Sequence, residues 1–511
     1  MIRIILFSCI RGMRMEFLPY VVIILFATAC NHNTKTENAS TSDTDSSGAI
    51  ASAGDTANGL PSGPVANTIM TEEYVKSMTK IVYLWAWPMV NVHNRVTLLS
   101  DVKEAVYVGG VIPTAPIGRL CLLNDYIKPE QRTIACPNQD VVYGVGPFDT
   151  QKEPIVLQVP DFGDRFWVYQ VSDQRTDGFA MLGKMYGTKP GFYLVTGKDW
   201  NGKVPDGITG VIKCPTRYGL ILPRVFQSDD PADKEAVQPV INQINQYPMS
   251  EFDGKIKRVD WRKTKRTAPD NSGGGETKWV KTETFLEQLP EIIKEVPPQK
   301  GEEAWYAQVI GLLDGISKNP KLKEAARLAV FDADKTLIDP LLQFVNVGYP
   351  VKNNWTTQSN GAQFGVDYLT RTSCAKANIF VNKPNETKYF YQDLDSAGTR
   401  LNGNNKYTIT FAKDQIPPVK GFWSLTIYDK EHFFVPNHLN RYSLGTKNKA
   451  LQTNPDGSLT FYVQSTAPSA DKMDNWLPAP KGLFSLYVRC YWPEENVVRD
   501  EWIPPAVVKV K

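Results

Sequence analysis

The chain contains 511 residues, of which 42% are hydrophobic and 11% aromatic, as in an ordinary globular protein. Its 57 Lys and Arg residues nearly balance its 54 Asp and Glu residues, so the formal net charge is only +3. Without a basic stripe, such a chain is not expected to bind nucleic acid, because phosphate recognition needs clustered cations. The length exceeds what one hydrophobic core usually holds and predicts two or three domains.

The first 29 residues have the pattern of a bacterial export signal. Three arginines precede an apolar stretch at 17–29. That stretch is shorter than the roughly 20 apolar residues of a membrane-spanning helix, but it suits the hydrophobic region of a signal peptide. It ends in Ala27-Thr28-Ala29-Cys30, which resembles the site read by lipoprotein signal peptidase. We therefore predict removal of residues 1–29 and lipidation of Cys30; an ordinary secretory signal with an incidental cysteine is the alternative.

Residues 30–65 are rich in Ser, Thr, Asp, Ala and Gly. Such a segment buries too little apolar surface to offset its ordering entropy, so we predict a flexible tether. Asn31 differs from the Asp that resembles an inner-membrane retention signal. The expected location is therefore a membrane surface, reached through the lipid and facing the periplasm or the cell exterior, with the outer membrane favoured. The sequence does not indicate an oligomeric state.

Residues 66–278 are predicted to form a β domain with a leading helix. Thr71 and the two glutamates after it mark a helix start, and apolar residues keep helical spacing until Pro88, which stops or kinks the helix. From about residue 150 the pattern changes to short strands separated by Gly, Pro and Asp turns. No parallel α/β alternation is present, so an antiparallel sandwich is expected. The predicted strands are Ile155–Val159, Phe166–Val171, Phe192–Val195 and Leu220–Val225.

The pattern changes twice more toward the C-terminus. A basic run at 262–266 and a glycine run at 273–275 predict a solvated loop, and helical periodicity returns over 279–350. Residues 351–511 are predicted to form a second β domain with alternating strands. We therefore expect a mainly β fold with α-helices, in which a helical segment joins two antiparallel β-sandwich domains. The predicted strands of the second domain are Lys406–Phe411, Trp423–Tyr428, Leu459–Val463 and Leu483–Val488.

Cysteine and histidine offer little chemistry in this chain. None of the cysteines beyond Cys30 has metal-site spacing, although Cys121 and Cys136 could close a disulfide in an oxidising compartment. His93 is expected to be structural. His432 and His438 lie six residues apart in a loop-like run without carboxylate support, which is poor metal-ligand geometry. No metal site is predicted, and no cofactor is indicated.

One segment of the sequence resembles a phosphatase motif. Residues 328–337 place Asp332 and Asp334 after an apolar run, which resembles the first motif of haloacid-dehalogenase-like phosphatases. Such enzymes need a strand before the nucleophilic Asp and further carboxylates to hold Mg²⁺. No acidic pair follows an apolar strand downstream, and residues 322–327 read as helix. A solvated helix face is therefore the preferred interpretation.

Several separate motifs, in order, carry a family resemblance over roughly residues 70–500. Residues 137–143, 159–161 and 165–167 resemble the bacterial domain-of-unknown-function family 1254, and residues 421–429, 440–443, 456–459 and 475–480 resemble family 1214. Two departures occur: Val141-Val142 stands where Thr-Leu is usual, and Arg175 where Trp is common. The resemblance implies paired jelly-roll-like β domains with a helical part, and no settled activity.

Polar residues in apolar or aromatic surroundings are the best candidates for a site. Such residues often cap turns in β proteins, which is the alternative to a functional role. We expect them to line a cleft between the two β domains, because ligand sites favour domain interfaces. The favoured function is binding of a polar small molecule or glycan. The alternative is a hydrolase that uses Asp140 or Asp173 with Arg175 or Arg441. The candidate residues are Asn138, Asp140, Tyr143, Asp173, Arg175, Asn437, Arg441 and Tyr442.

Overall fold

The structure, a computed structural model, describes residues 63–64, 67–268 and 277–510. Cys30, the predicted signal peptide, almost all of the predicted tether and the glycine run at 273–275 lie outside these residues. None of the described helices is long and apolar enough to cross a membrane. The eight described helices are α1 Glu72–Leu99, α2 Pro231–Ala236, α3 Gln238–Ile241, α4 Phe285–Glu295, α5 Glu303–Lys318, α6 Pro320–Ala333, α7 Tyr368–Ala377 and α8 Glu495–Val498.

The strands fall into two groups, which we call the N-terminal and the C-terminal β half. The N-terminal half contains β1 Val106–Val108, β2 Ile112–Thr114, β3 Cys121–Leu122, β4 Val141–Asp149, β5 Ile155–Val159, β6 Trp167–Asp173, β7 Leu182–Gly183, β8 Gly191–Gly197, β9 Gly210–Cys214, β10 Tyr218–Phe226, β11 Asn245–Pro248 and β12 Lys265–Arg266. The C-terminal half contains β13 Tyr349–Pro350, β14 Thr356–Thr357, β15 Thr387–Gln392, β16 Tyr407–Phe411, β17 Val419–Asp429, β18 Ser443–Gly445, β19 Leu459–Gln464, β20 Trp476–Pro478, β21 Phe484–Pro493 and β22 Val508–Lys509.

Each half is built on two main sheets with mostly antiparallel pairing. In the N-terminal half the orders are β3-β4-β10-β6-β7 and β11-β5-β8-β9, with a small third sheet β12-β1-β2. In the C-terminal half they are β13-β14-β15-β21-β17-β18 and β20-β19-β16-β22. Parallel pairs occur only at β1/β12, β8/β9 and β19/β20 among the described strands. The predicted mainly β fold with antiparallel sheets and helices is confirmed.

Side-chain alternation along β10 explains how the layers stack. Leu220 and Leu222 pack with the helices, whereas Ile221 between them joins the core on the opposite face. Successive residues of a strand point to opposite faces, so one sheet can cover a helical layer and a second sheet at once. Leu157 of β5 lies in the same core as Ile221. The five-stranded sheet therefore lies between the helices and the four-stranded sheet.

The two β halves share a hydrophobic core. In β17 and β21, Leu425 and Leu486 face the four-stranded sheet of their own half, whereas Tyr428, Tyr487 and Tyr491 belong to the core that also holds the N-terminal strands. The aromatic face of the six-stranded sheet thus packs against the N-terminal half. The boundaries at 278/279 and 350/351 remain predictions.

Helix α1 continues through Pro88 rather than stopping there. Thr71 caps its start by accepting a hydrogen bond from the backbone N–H of Tyr74 at 3.2 Å. Proline has no N–H and leaves the carbonyl of residue i−4 without a helical donor. Here that carbonyl belongs to Leu84, and the hydroxyl of Thr372 donates to it at 2.8 Å. A tertiary contact from α7 therefore supplies the hydrogen bond that the helix loses.

The structure decides between the sequence alternatives for the phosphatase-like motif and for the possible disulfide. Residues 328–337 lie on α6 and the π-helical turn after it, not on a strand; Asp332 pairs with Lys80, and Asp334 accepts from the Tyr83 hydroxyl at 2.7 Å. The possible disulfide between Cys121 and Cys136 is not formed, and none of the described cysteines is in a disulfide. Their sulfurs instead contact the backbone carbonyls of Val106 and Ala377, respectively.

Candidate functional site

A buried aspartate of the N-terminal half is held by the C-terminal half. Asp140 immediately precedes β4 and is fully buried. Its carboxylate oxygens accept hydrogen bonds from the hydroxyls of Ser424 on β17, at 2.5 Å, and Ser443 on β18, at 2.8 Å. Hydrogen bonds to an ionised acceptor are roughly twice as strong as neutral ones. Asp140 therefore helps to fasten the two halves together and is shielded from solvent.

Next to Asp140, the chain docks on a loop of the C-terminal half that contains three of the predicted site residues. The Gln139 side chain donates to the carbonyl of Asn440 at 2.7 Å and accepts from the backbone N–H of Tyr442 at 2.8 Å. Asn437 accepts from the N–H of Arg441 at 3.2 Å and donates to its carbonyl at 2.9 Å. Asn437 thus shapes this loop, as the turn-capping alternative expects.

The central cleft lies between the two halves beside this loop. Its volume is about 650 Å³, within the roughly 300–1,000 Å³ range of small-molecule sites. Of the predicted site residues, Arg441 and Tyr442 line it. The other lining residues are Gly110, Val111, Leu123, Asn124, Asp125, Tyr126, Ile127, Lys128, Pro129, Glu130, Gln139, Asp229, Lys234, Arg266, Pro436, Leu439 and Asn440.

Tyr126 forms the aromatic centre of one wall of the central cleft. The ammonium groups of Lys234 and Lys447 lie over its ring, 4.8 and 4.7 Å from the centroid. Its hydroxyl donates to the carbonyl of Gln227 at 2.6 Å, and burial raises its pKa well above 10. Lys234 pairs with Asp125 at 2.9 Å, and Lys447 pairs with Asp229 at 3.2 Å. The ring is therefore held rigidly with cations on its face.

Arg441 and Tyr442 of the C-terminal half also line the central cleft. The Arg441 guanidinium donates to the carbonyls of Met473 and Trp476 at 2.8 and 2.9 Å, and burial lowers its pKa. The ring of Tyr442 stacks on Phe434, with 4.6 Å between centroids. The Tyr442 hydroxyl is buried and has no hydrogen-bond partner. Because a buried polar group without a partner costs about 1–3 kcal/mol, this hydroxyl is the most notable unsatisfied group at the cleft.

Asn138 and Tyr143 line a smaller pocket of about 40 Å³. The Asn138 side-chain amide donates to the Tyr491 hydroxyl, and its oxygen Oδ1 accepts from the backbone N–H of Asp140 at 2.7 Å. Burial raises the pKa of Tyr143 above its usual 10. Arg224 and Arg489, which the sequence did not single out, line the same pocket.

Asp173 and Arg175 belong to a separate buried network. Asp173 accepts hydrogen bonds from the N–H groups of Arg175 and Asp177, both at 2.9 Å, and burial raises its pKa. The Arg175 guanidinium lies 3.6 Å from Asp173 and 3.7 Å from Glu302, at the start of α5. This network ties the exit of β6 to the helical segment.

The predicted single site therefore has to be corrected. On β10, Phe226 pairs with Val141, next to Asp140, whereas Gly219 pairs with Asp173. The two partners are seven residues apart, which is about 23 Å at roughly 3.3 Å per residue. Asp173 and Arg175 thus lie at the far end of the sheet from Asp140 and do not line the central cleft. The cleft carboxylates are Asp125, Glu130 and Asp229.

Sequence reasoning missed most of the central cleft because no motif marks it. Asp125, Tyr126 and Lys234 come from segments with ordinary turn composition. Asp125 and Lys234 are 109 positions apart in the sequence, so no local pattern predicts the ion pair that they form in the fold. Among the described residues, no group of three or more His, Cys, Asp or Glu side chains could hold a metal ion.

The fold defines a mainly β protein with two β halves around a central cleft. Comparison with known protein families gives two further matches. Residues 117–248 match the family described as "Protein of unknown function (DUF1254)", and residues 386–495 match "Protein of unknown function (DUF1214)". The first match lies in the N-terminal β half and the second in the C-terminal β half. This confirms the family resemblance inferred from the sequence motifs.

One solved structure supports the same architecture. The VPA0106 protein from Vibrio parahaemolyticus is 19% identical, covers 86% of this chain and all of its own, and has a TM-score of 0.58. An uncharacterized protein from Burkholderia cenocepacia is 12% identical over 86% of this chain and 94% of its own, with a TM-score of 0.39. Among curated proteins, none matches the sequence. The Vibrio protein thus shares the fold.

Proposed function

We propose that this protein is an extracytoplasmic, lipid-anchored binding protein that captures a polar small molecule or glycan in the central cleft. The observation that carries the proposal is the cleft itself: about 650 Å³, between two β halves, with the rigid Tyr126 ring and several polar and charged side chains in its lining. Aromatic surfaces beside a few fixed polar groups are the usual composition of a small-molecule site.

The charges at the central cleft favour a ligand with little net charge. Four cations nearly balance three carboxylates, and Asp125, Asp229 and Lys234 are already in ion pairs. A strongly anionic or cationic ligand would meet like charges as well as opposite ones, whereas hydroxyl groups can donate to one and accept from the other. The cations are Lys128, Lys234, Arg266 and Arg441, and the carboxylates are Asp125, Glu130 and Asp229.

Membrane attachment is the other part of the proposal. It is supported by the sequence pattern that ends at Cys30 and by the composition of the following tether. One lipid chain gives only marginal binding, whereas several chains on one N-terminus anchor a protein stably. A tethered binding domain would hold its ligand near the membrane surface.

Direct titration tests the binding function. Glucose, galactose, N-acetylglucosamine and their β-linked oligomers are titrated into the protein in a calorimeter, and one of them is expected to bind with 1:1 stoichiometry. Tyr126→Leu removes the aromatic ring from the cleft lining and should weaken binding about 10-fold or more, because aromatic side chains often dominate binding energy. Lys128→Trp adds bulk at an exposed cleft residue and should abolish binding.

Two control variants make the result specific. Tyr247→Leu removes a buried aromatic ring that does not line the cleft, and Lys481→Trp adds the same bulk as Lys128→Trp at an exposed position outside the cleft lining. Both should bind as the unaltered protein does. Equal effects of the cleft and control variants would reject the proposed site. Conversion of the bound sugar to a hydrolysed product would favour the hydrolase instead.

A further inference from the structure

The small pocket lined by Asn138 and Tyr143, which we call the two-arginine pocket, contains two cations and no acidic residue. Arg224 on β10 and Arg489 on β21 line it together, one from each β half. It shares no lining residue with the central cleft. Its polar lining therefore has a net positive charge at the junction of the two halves.

Neither guanidinium has a carboxylate partner among the described residues. Arg489 is 3% exposed and donates to neutral groups: the hydroxyls of Thr426 and Tyr428, at 2.8 and 2.7 Å, and the carbonyl of Cys136. Its guanidinium also lies 4.0 Å from the centroid of the Tyr487 ring. Arginine cannot lose its proton in a protein, so a buried arginine needs a compensating negative charge.

Arg224 is only half-buried, but it also lacks a carboxylate partner and has an unused donor. Its Nη2 atom donates to the Gln170 side chain and to the carbonyl of Phe380, both at 2.9 Å, while its buried Nε atom has no hydrogen-bond partner. Tyr143 lines the same pocket, and its phenolic hydroxyl can donate a hydrogen bond. The pocket thus offers an unused N–H and a phenolic O–H.

Asp140 compensates only part of this charge. The oxygens of Asp140 are hydrogen-bonded to Ser424 and Ser443 and not to Arg489. The negative charge of Asp140 therefore acts on Arg489 only from a distance. Two arginines carry two positive charges and Asp140 carries one negative charge, so one positive charge remains uncompensated. The pocket volume of about 40 Å³ exceeds the roughly 10–15 Å³ that one water requires, yet it is far below the size of an organic substrate site.

From this arrangement we infer that the two-arginine pocket binds a small monovalent anion of the size of chloride, between Arg224 and Arg489. The anion neutralises the remaining charge and accepts hydrogen bonds from the unused donor of Arg224 and from the Tyr143 hydroxyl. Because the two arginines belong to different β halves, the bound anion stabilises the junction between them. This site is independent of the ligand proposed for the central cleft.

Thermal unfolding in matched salts tests the anion site. In sodium chloride the melting temperature should rise saturably, by at least about 2 °C, above its value in sodium gluconate of equal ionic strength, because gluconate is too large for the pocket. Tyr143→Phe should weaken this chloride effect, and Arg224→Gln should abolish it. Tyr247→Phe, which also removes a buried hydroxyl, should keep it in full.

Crystallography of the unaltered protein gives a test that needs no variant to fold. Crystals grown in sodium bromide should show an anomalous peak between Arg224 and Arg489. Absence of bromide from the pocket, or equal melting temperatures in chloride and gluconate, would overturn the inference. Bromide in the crystal without a saturable chloride effect in solution would mean an adventitious ion only, and would overturn it as well.

Discussion

The hydroxyl of Thr372 donates a hydrogen bond, 2.8 Å long, to the carbonyl of Leu84, the group that Pro88 deprives of its helical donor. Thr372 lies on α7, 288 residues from Leu84, and is fully buried. The contact joins α1 to the helix that lies between β14 and β15 of the C-terminal β half. It explains how a helix with an internal proline extends to Leu99.

This contact should contribute measurably to stability. Thr372→Val keeps the shape of the side chain but leaves the Leu84 carbonyl without a donor, so the free energy of unfolding should fall by about 1–3 kcal/mol. Urea titration followed by circular dichroism measures the difference. Thr372→Ser keeps the hydroxyl and should retain most of the hydrogen-bond energy. If valine and serine had the same effect, packing and not the hydrogen bond would explain the loss.

Asp140 is expected to matter more for folding than an exposed aspartate does. Asp140→Asn removes the charge that accepts from Ser424 and Ser443 inside the junction of the halves, and should cost about 2–5 kcal/mol. Asp332→Asn removes an exposed ion pair with Lys80 and should change the free energy of unfolding by less than about 1 kcal/mol. Chemical denaturation of both variants makes the comparison. Similar small losses would show that Asp140 does not fasten the halves.

Asp332 also tests the phosphatase-like string directly. Because Asp332 lies on a helix and pairs with Lys80, we expect Asp332→Asn to leave any measurable Mg²⁺-dependent hydrolysis of p-nitrophenyl phosphate unchanged. Circular dichroism checks that the variant is folded. Loss of such an activity from a folded variant would contradict the helix-face interpretation.

His432 should make the protein less stable in acid. Its ring stacks on Phe344, with 4.0 Å between centroids, and burial lowers its pKa to about 4. Since the unfolded chain binds the proton below about 6.5, stability is complete above that pH and is lost as the pH falls toward 4. Over this window His432 should account for a loss of about 3 kcal/mol.

The variant His432→Asn isolates this contribution. Residue 432 has a positive φ of 65°, which asparagine tolerates better than most residues. The difference in unfolding free energy between pH 7 and pH 4, measured by urea titration, should be smaller for the variant than for the unaltered protein. Background carboxylates titrate in both proteins and cancel in the comparison. Identical pH profiles would show that His432 is not responsible.

Lipidation of Cys30 is the prediction with the clearest cellular readout. Cys30→Ser, expressed in a bacterial host, should abolish labelling with radioactive palmitate and release the protein from the membrane fraction, because the thiol that carries the lipid is gone. The unaltered protein is the positive control. Labelling that persists in the serine variant would contradict lipid attachment at this cysteine.

Local patterns in the sequence were enough to predict several elements. Alternation predicted Ile155–Val159 with its observed bounds, and the cap at Thr71 predicted the start of α1. The same local patterns did not predict β4, which runs from Val141 to Asp149, because Gly144 and Gly146 weaken a strand pattern. Those glycines are required by contacts from elsewhere: a Cβ atom at residue 144 would lie 2.4 Å from the Cys121 carbonyl oxygen.

The sequence by itself determined the order of the main elements, the two family resemblances and eight of the 22 described strands, because periodicity and turn residues act over a few neighbouring positions. Only the tertiary structure decided which polar residues meet. Asp140 and Asp173 look equivalent in the sequence, yet their strand partners Phe226 and Gly219 lie at opposite ends of β10. The charges at the central cleft and the presence of Arg224 and Arg489 in one pocket likewise depend on packing between distant segments, which no local pattern encodes.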